Sequence, residues 1–130
     1  MYKRQIEDLL PVSDVLSLNC PASKETANLL SAKRIARLPD GAIIVNTARG
    51  ALVDESALVD ALRSGKIASA GLDVYCTEPG GNREIAALPN TFLLPHIGSA
   101  NEETRDAMGF RALDNLDAYF AGREPKDRVA

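Results

Sequence analysis

The chain has 130 residues, a length that suits one domain with a hydrophobic core and is too short for two. It is 45% hydrophobic and 25% charged, and its formal net charge of −3 is spread along the sequence without a basic run that could hold a nucleic-acid backbone. No apolar stretch approaches the roughly 20 residues of a membrane span, and the two cysteines have neither zinc-site spacing nor disulfide-scaffold density. We therefore expect a cytoplasmic protein without nucleic-acid, membrane or metal partners.

The first 40 residues predict short elements. Residues 5–10 favour a helix that Pro11 stops, and residues 14–18 favour a strand. Ser23 and Ser31 are suitable N-caps for two helical turns. The turn that follows them leads the chain into a central strand.

That central strand is predicted by the apolar run Ala42–Val45, which is β-branched from Ile43 on and too short for a helix. The pattern is typical of a strand buried on both faces, as in a parallel sheet. A polar tip, Asn46–Gly50, follows it and includes Arg49. In open parallel sheets ligands bind beyond the carboxyl ends of the strands, so we expect Arg49 to face a ligand.

The next part of the chain returns to the sheet twice. Asp54 can cap a helix that Gly65 ends. A strand over residues 67–74, a loop over 76–90 and a last strand over 91–94 follow in order.

A long helix over about residues 100–121 is predicted at the C-terminus. Ser99 and Glu102 have the spacing of a capping box at its start. Its apolar residues recur at helical spacing, and we interpret this stripe as core packing. The stripe consists of Met108, Ala112, Leu116 and Phe120.

Strands that alternate with helices predict an α/β fold with a parallel sheet of about four strands. The carboxyl ends of parallel strands lie along one edge of the sheet, so their polar residues converge there. These residues are Asn19-Cys20, Asn46 to Arg49, Asp73 and His96. Four polar tips at one edge predict a functional site.

The sequence at these strand ends resembles the D-isomer-specific 2-hydroxyacid dehydrogenases, and among them the glyoxylate and hydroxypyruvate reductases. The matching segments have the family's order and spacing between about Leu9 and Gly122. They are Ser17–Pro21, Val45–Gly50, Gly71–Val74, Glu78–Pro79 and Pro95–Ala100. Asn19 is a departure, because many members have histidine there; formate dehydrogenases resemble the chain at that point.

The resemblance implies a catalytic set of three residues. His96 is the general acid/base that protonates the carbonyl oxygen of the substrate, Glu78 orients His96 and favours its imidazolium form, and Arg49 clamps the substrate carboxylate. The chemistry of the side chains agrees with these roles. A guanidinium grips a planar carboxylate with two parallel hydrogen bonds, and an imidazole is the natural proton donor near neutral pH.

The resemblance also implies a nicotinamide cofactor, NAD or NADP, which supplies the hydride. Asp73 would hold the nicotinamide carboxamide. The other cofactor-binding positions that it implies are Asn19, Cys20, Pro21, Thr47, Ala48, Arg49, His96, Gly98 and Ser99.

The 130 residues contain no G-x-G-x-x-G turn, the motif that holds a pyrophosphate at a helix N-terminus. We therefore expect a partial Rossmann-like, doubly wound sheet without its first βαβ unit: a single incomplete nucleotide-binding domain over residues 1–130, with no substrate domain. The expected function is that of a fragment, inactive alone, of a homodimeric oxidoreductase that interconverts a small 2-oxo acid and its D-2-hydroxy acid. The alternative is a non-catalytic module for oligomerisation or regulation.

Each site residue also has a structural interpretation. His96 is the only histidine, and a lone histidine at a strand end is more often structural than catalytic. Arg49 could be a surface arginine and Asp73 a turn cap, and a Glu-Pro pair such as that at Glu78 is common in loops.

Overall fold

The computed structural model describes residues 5–129. The chain forms two compact units, which divide after His96. The described residues of the first unit form a β-sheet with short helices, and those of the second form a long helix with a tail. The helices are α1 (Ile6–Leu9), α2 (Ala32–Ile35), α3 (Glu55–Ser64), α4 (Arg83–Ala86) and α5 (Glu102–Phe120), with 3₁₀ turns at Leu10–Val12 and Gly50–Leu52. No helix among the described residues is long and apolar enough to cross a membrane.

The sheet has four parallel strands in the order β1-β2-β3-β4. Their bounds are β1 (Val15–Leu18), β2 (Ala42–Asn46), β3 (Ile67–Leu72) and β4 (Thr91–Leu93). Leu18 pairs with Asn46, Asn46 with Leu72, and Leu72 with Leu93, so the four carboxyl ends are level with one another. The predicted α/β class with a four-stranded parallel sheet is confirmed.

The prediction that β2 is buried on both faces is wrong for the described residues. Ala42 and Ile44 are fully buried, whereas Ile43, between them, is 37% exposed. Only one face of this strand is covered by the core. A continuous apolar run does not show whether one face or both faces of a strand are buried, because isoleucine occurs on exposed and on covered faces alike.

The cap and the end of α3 follow the prediction. Asp54 Oδ1 accepts a hydrogen bond from the Ala57 N–H at 3.1 Å, and Gly65 ends the helix in the left-handed region at φ +77°. Leu58 and Leu62 pack into the core between helix and sheet. The helix is thereby fixed at both ends and along one side.

The predicted helix over residues 5–10 is confirmed as α1, which ends at Leu9, before Pro11. A 3₁₀ turn continues from it with proline in its first positions, where no N–H is needed. The prediction at Ser23 needs correction. The residues after Ser23 form hydrogen-bonded turns without an α-helix. Ser31 does occupy the N-cap of α2, although its side chain makes no capping bond.

The second unit departs from the prediction at the start of α5. The N-cap is Asn101, whose Oδ1 accepts from the Thr104 N–H at 2.8 Å. The predicted box of Ser99 and Glu102 does not form. Asparagine is as good an N-cap as serine, and Asn101 lies immediately before the first helical residue.

The apolar stripe of α5 is not core in the described structure. Met108 is 61% exposed and Phe120 is 81% exposed, and Ala112 and Leu116 are exposed with them. The buried residue of this helix is Ala118, on another side. Periodicity identified a face that would gain from burial, but it did not identify a partner for that face.

The C-terminal tail binds the side of α5 that carries Arg111 and Asn115. Arg111 donates from Nε and Nη2 to the Asp127 carboxylate at 2.5 and 2.7 Å, and Asn115 Nδ2 donates to it at 2.7 Å. These bonds lower the pKa of Asp127 to about 2. An ionised carboxylate therefore holds the tail to the helix over the ordinary pH range.

Candidate active site

The site is built where the chain leaves the carboxyl ends of the strands. Asn46 ends β2 and is 1% exposed. Its Nδ2 donates to the Arg49 carbonyl oxygen at 2.9 Å, and its Oδ1 accepts from the Ala48 N–H at 3.1 Å. The Asn46 carbonyl oxygen in turn accepts from the Asp73 N–H at 3.0 Å. The buried side-chain amide thus shapes the loop that carries Arg49, and the backbone carbonyl of the same residue joins this loop to the end of β3.

Asn46 was named in the sequence as part of a polar tip but was not predicted to hold the site. A signal for this role was present: an asparagine that ends an apolar strand must find partners for its buried amide. The short-range turn that it forms satisfies that need.

Gly50 brings two loops of the site together. A Cβ at this position would lie 1.9 Å from the carbonyl carbon of Tyr75, which is far inside contact distance. Only glycine lets the backbone that follows Arg49 approach the backbone that follows Asp73 this closely.

Glu78 and His96 form a direct pair. His96 Nδ1 lies 2.6 Å from Glu78 Oε2, and Glu78 Oε1 accepts from the Tyr75 N–H at 2.7 Å. Both carboxylate oxygens are therefore engaged, and the side chains of His96 and Glu78 are still 44% and 32% exposed. The structure brings together two residues that the sequence separates by 18 positions.

Electrostatics keep Glu78 ionised. The hydrogen bond from His96 lowers the pKa of this carboxyl most, the Tyr75 N–H lowers it further, and the charges of His96 and Arg49 add to the effect. An ionised carboxylate thus faces the Nδ1 atom of His96 at hydrogen-bond distance. A partner of this kind orients the imidazole ring.

The backbone of His96 has φ +56°, in the left-handed region that non-glycine residues seldom occupy. Such a conformation costs about 1–3 kcal/mol and persists only where the surroundings impose it. Strained residues of this kind cluster at functional sites. The strain therefore supports a role for His96 beyond packing.

Tyr75 braces the segment that leads to His96. Its hydroxyl lies within hydrogen-bond distance of the carbonyl oxygens of Leu72 (3.2 Å) and Leu94 (2.9 Å). Burial, and then the charge of Asp73, raise the pKa of Tyr75, so its hydroxyl remains a donor. A cavity of about 630 Å³ lies against Tyr75, Glu78 and His96 and gives a small molecule access to the pair of Glu78 and His96.

Arg49 lies at the same edge of the sheet as the pair of Glu78 and His96. Its side chain is exposed, and Nη1 donates to the carbonyl oxygen of Ala48 at 2.6 Å. Its positive charge nevertheless acts on Glu78. Arg49 thus has the exposure and the position to meet an anionic ligand.

The remaining predicted positions lie as follows. Asp73 is 3% exposed directly after β3. Asn19 is exposed after β1, where its Nδ2 donates to Ser17 Oγ at 3.1 Å. The others are Cys20, partly buried against the core; Pro21 and Thr47, exposed; Ala48, half-buried; and Gly98 and Ser99, which belong to the second unit. No group of three or more potential metal ligands occurs among residues 5–129.

Comparison with known proteins decides the family. Residues 1–98 match the model of the D-isomer-specific 2-hydroxyacid dehydrogenase NAD-binding domain. The chain belongs to this family. The predicted resemblance is confirmed, and the family's NAD-binding domain is the part that the first unit represents.

Relatives of the chain include a glycerate dehydrogenase and a glyoxylate reductase. It is 48% identical to a glycerate dehydrogenase of Hyphomicrobium methylovorum over 95% of its own length and 38% of that protein. It is 45% identical to a glyoxylate reductase of Thermococcus litoralis over 95% of its length and 37% of that protein. The chain therefore spans less than two-fifths of these curated relatives.

A solved structure agrees with the sequence relatives. An NADPH-dependent glyoxylate/hydroxypyruvate reductase from Sinorhizobium meliloti, in complex with NADP and malonate, matches with a TM-score of 0.90 at 38% identity. The match covers 96% of this chain and 39% of that one. The sheet and its loops are thus the family's arrangement.

Proposed function

We propose that the complete protein containing these residues is an NAD(P)-dependent oxidoreductase that reduces a small 2-oxo acid, of the glyoxylate or hydroxypyruvate kind, to a D-2-hydroxy acid. The observation that carries the proposal is the 2.6 Å contact between Glu78 and His96 at the carboxyl edge of the sheet. The names of the relatives supply the substrate class.

The chemistry follows from the side chains. Arg49 is suited to grip the substrate carboxylate with a pair of parallel hydrogen bonds. With Nδ1 engaged by Glu78, the imidazolium of His96 would donate its Nε2 proton to the ketone oxygen as the carbon is reduced. Glu78 stabilises the ring while it is charged, and a bound nicotinamide supplies the hydride. The product is the hydroxy acid, and His96 is left neutral.

The residues present fit such a cofactor. Asn19, Thr47 and Asp73 follow three neighbouring strands at one edge, which is where doubly wound sheets bind nucleotides. We propose that they hold it together with the remaining predicted positions. Those positions are Cys20, Pro21, Ala48, Arg49, His96, Gly98 and Ser99.

Three broader proposals accompany this function. Residues 1–130 form a single, incomplete nucleotide-binding domain in our proposal, one that lacks a substrate domain. The complete enzyme is a homodimer and works in the cytoplasm. The family match supports the first proposal, the exposed apolar face of α5 supports the second, and two cysteines without disulfide-scaffold density support the third.

Kinetics of the complete protein test the function. His96→Ala should lower kcat for glyoxylate and hydroxypyruvate by about 10²–10⁴-fold, the usual contribution of general acid catalysis. Arg49→Ala should raise KM and lower kcat, because the clamp acts both on binding and on orientation. Arg63→Ala is the matched control, since Arg63 pairs with Glu84 on the exposed surface. Near wild-type kcat in His96→Ala would refute the mechanism, whereas a complete wild-type protein without activity on these acids would favour the non-catalytic module.

A further inference from the structure

Glu55, the first residue of α3, holds both ends of the loop that carries Glu78. Its Oε1 accepts from the Cys76 N–H at 2.8 Å, and its Oε2 accepts from Asn82 Nδ2 at 2.9 Å. Glu55 is half-buried and lies 21 residues before Cys76 in the sequence. One carboxylate therefore spans the loop from its beginning to its end.

The loop itself has few other anchors. Residues 76–80 are all exposed, so apolar packing contributes little to their placement. At the far end, Asn82 is committed in two directions: its Oδ1 caps α4 by accepting from Glu84 N at 2.9 Å, and its Nδ2 binds Glu55. The clamp thus connects the loop to two helices whose positions are set by the core.

We propose that Glu55 is a positioning residue for the proposed reaction: it holds Glu78 where Glu78 can bind His96. The proposal rests on the proposed function. A 2.6 Å hydrogen bond is lost when its acceptor moves by about 1 Å, because the two atoms then lie beyond hydrogen-bond range. Glu55 bonds to the backbone and to Asn82, so it would act on the chemistry only through the loop.

A purely structural role is the competing explanation, because an acidic residue in the first turn of a helix also stabilises the helix. Glu55→Asp separates the two roles. Aspartate keeps the negative charge at the N-terminus of α3, but its shorter side chain cannot reach both partners. Asn82→Asp is an independent second variant. It keeps the oxygen that caps α4, but it replaces the donor that faces Glu55 with a carboxylate oxygen.

The test is a double-mutant cycle with Glu78→Gln in the complete enzyme. Glu55→Asp and Asn82→Asp should each lower kcat by about 10- to 10²-fold, as expected when a catalytic group is misplaced by about 1 Å, with KM little changed. Combined with Glu78→Gln, neither should lower kcat further, because the group that they position no longer holds the charge. Glu84→Asp is the matched control and should leave kcat unchanged.

The outcomes are separable. If the kcat losses of Glu55→Asp and Glu78→Gln multiply in the double variant, or if both loop variants keep wild-type kcat, Glu55 does not act through Glu78 and the inference fails. The proposed function would still stand in that case, provided that His96→Ala has lost activity. Retained activity in His96→Ala would instead refute the role of His96 in the mechanism, and a wild-type enzyme without activity would refute the function itself.

Discussion

Glu78 uses one oxygen for a side chain and the other for the backbone, and this double engagement determines how it responds to acid. Its partners, His96 first and the Tyr75 N–H second, lower its pKa below the ordinary value of 4.5. A carboxyl whose pKa is lower in the folded state binds protons more readily when the chain unfolds. Its contribution to stability is therefore full above pH 4.5 and is lost as the pH falls through the folded-state pKa.

The lowered pKa of Glu78 leads to a prediction for Glu78→Gln. The variant should have a lower free energy of unfolding than the wild type near neutral pH, and the difference should shrink as the pH falls below about 4.5. Urea unfolding of both proteins at several pH values measures it. Glu84→Gln, which removes a carboxylate from an exposed ion pair with Arg63, is the control. A wild-type-to-variant difference that is independent of pH would contradict the assignment.

At the scale of single residues, the roles of Arg49, Glu78 and His96 stay predictions that rest on recognisable motifs. The structure places Glu78 and His96 in contact. Asn46 and Glu55 were not predicted to organise the site. Their partners, Asp73 and Cys76, lie more than 20 residues further along the chain, so their roles depend on the register of β2 with β3 and on the path of the loop.

Among the elements, the connection from β2 to α3 depends on Gly50. Replacement by alanine would place a Cβ 1.9 Å from the carbonyl carbon of Tyr75, and backbone atoms there cannot move aside cheaply. We expect Gly50→Ala to cost about 1–3 kcal/mol of stability, as overpacked sites do. Chemical denaturation measures the loss.

Gly71→Ala in β3 is the matched control, because a Cβ there would meet nothing within 4 Å. It should change the free energy of unfolding much less than Gly50→Ala does. Equal effects of the two substitutions would show that the close approach at Tyr75 is not what requires glycine.

Local signals predicted the elements well where the residues that decide the structure are neighbours in sequence. The cap at Asp54 and the end at Gly65 are of this kind, and both are confirmed. The start of α5 was wrong because two good caps, Ser99 and Asn101, lie two residues apart. Sequence preference alone does not rank such competitors.

At the scale of the whole molecule, helical spacing predicts the apolar face of α5 but does not predict which surface covers it. The three large side chains of this face, Met108, Leu116 and Phe120, are more than half exposed in the described structure. Helical periodicity marks a face that gains from burial, and the identity of the covering surface depends on what else is present. The chain corresponds to 38% of the length of a curated relative. Most of that relative therefore has no counterpart among these residues.

The sequence of the 130-residue chain also predicts how tightly the chain binds a nicotinamide cofactor. Its strand-end loops, at Thr47, Asp73 and His96, are proposed to contact the nicotinamide half of a dinucleotide. Backbone N–H groups of a glycine-rich turn at a helix N-terminus are what commonly bind the pyrophosphate, and these 130 residues include no G-x-G-x-x-G sequence. We expect the chain by itself to bind NAD or NADP with a Kd weaker than about 1 mM, which corresponds to a binding free energy of roughly −4 kcal/mol.

Calorimetric titration of the folded chain with NAD and with NADP measures this affinity. A longer family member that includes the glycine-rich turn serves as the positive control in the same buffer, and its heats establish that binding would be detected. The Asp73→Asn variant of that longer protein should bind more weakly if the strand-end loops contact the nicotinamide half as proposed. Micromolar binding to the 130-residue chain would contradict the prediction, since the strand-end loops would then hold a dinucleotide without the pyrophosphate turn.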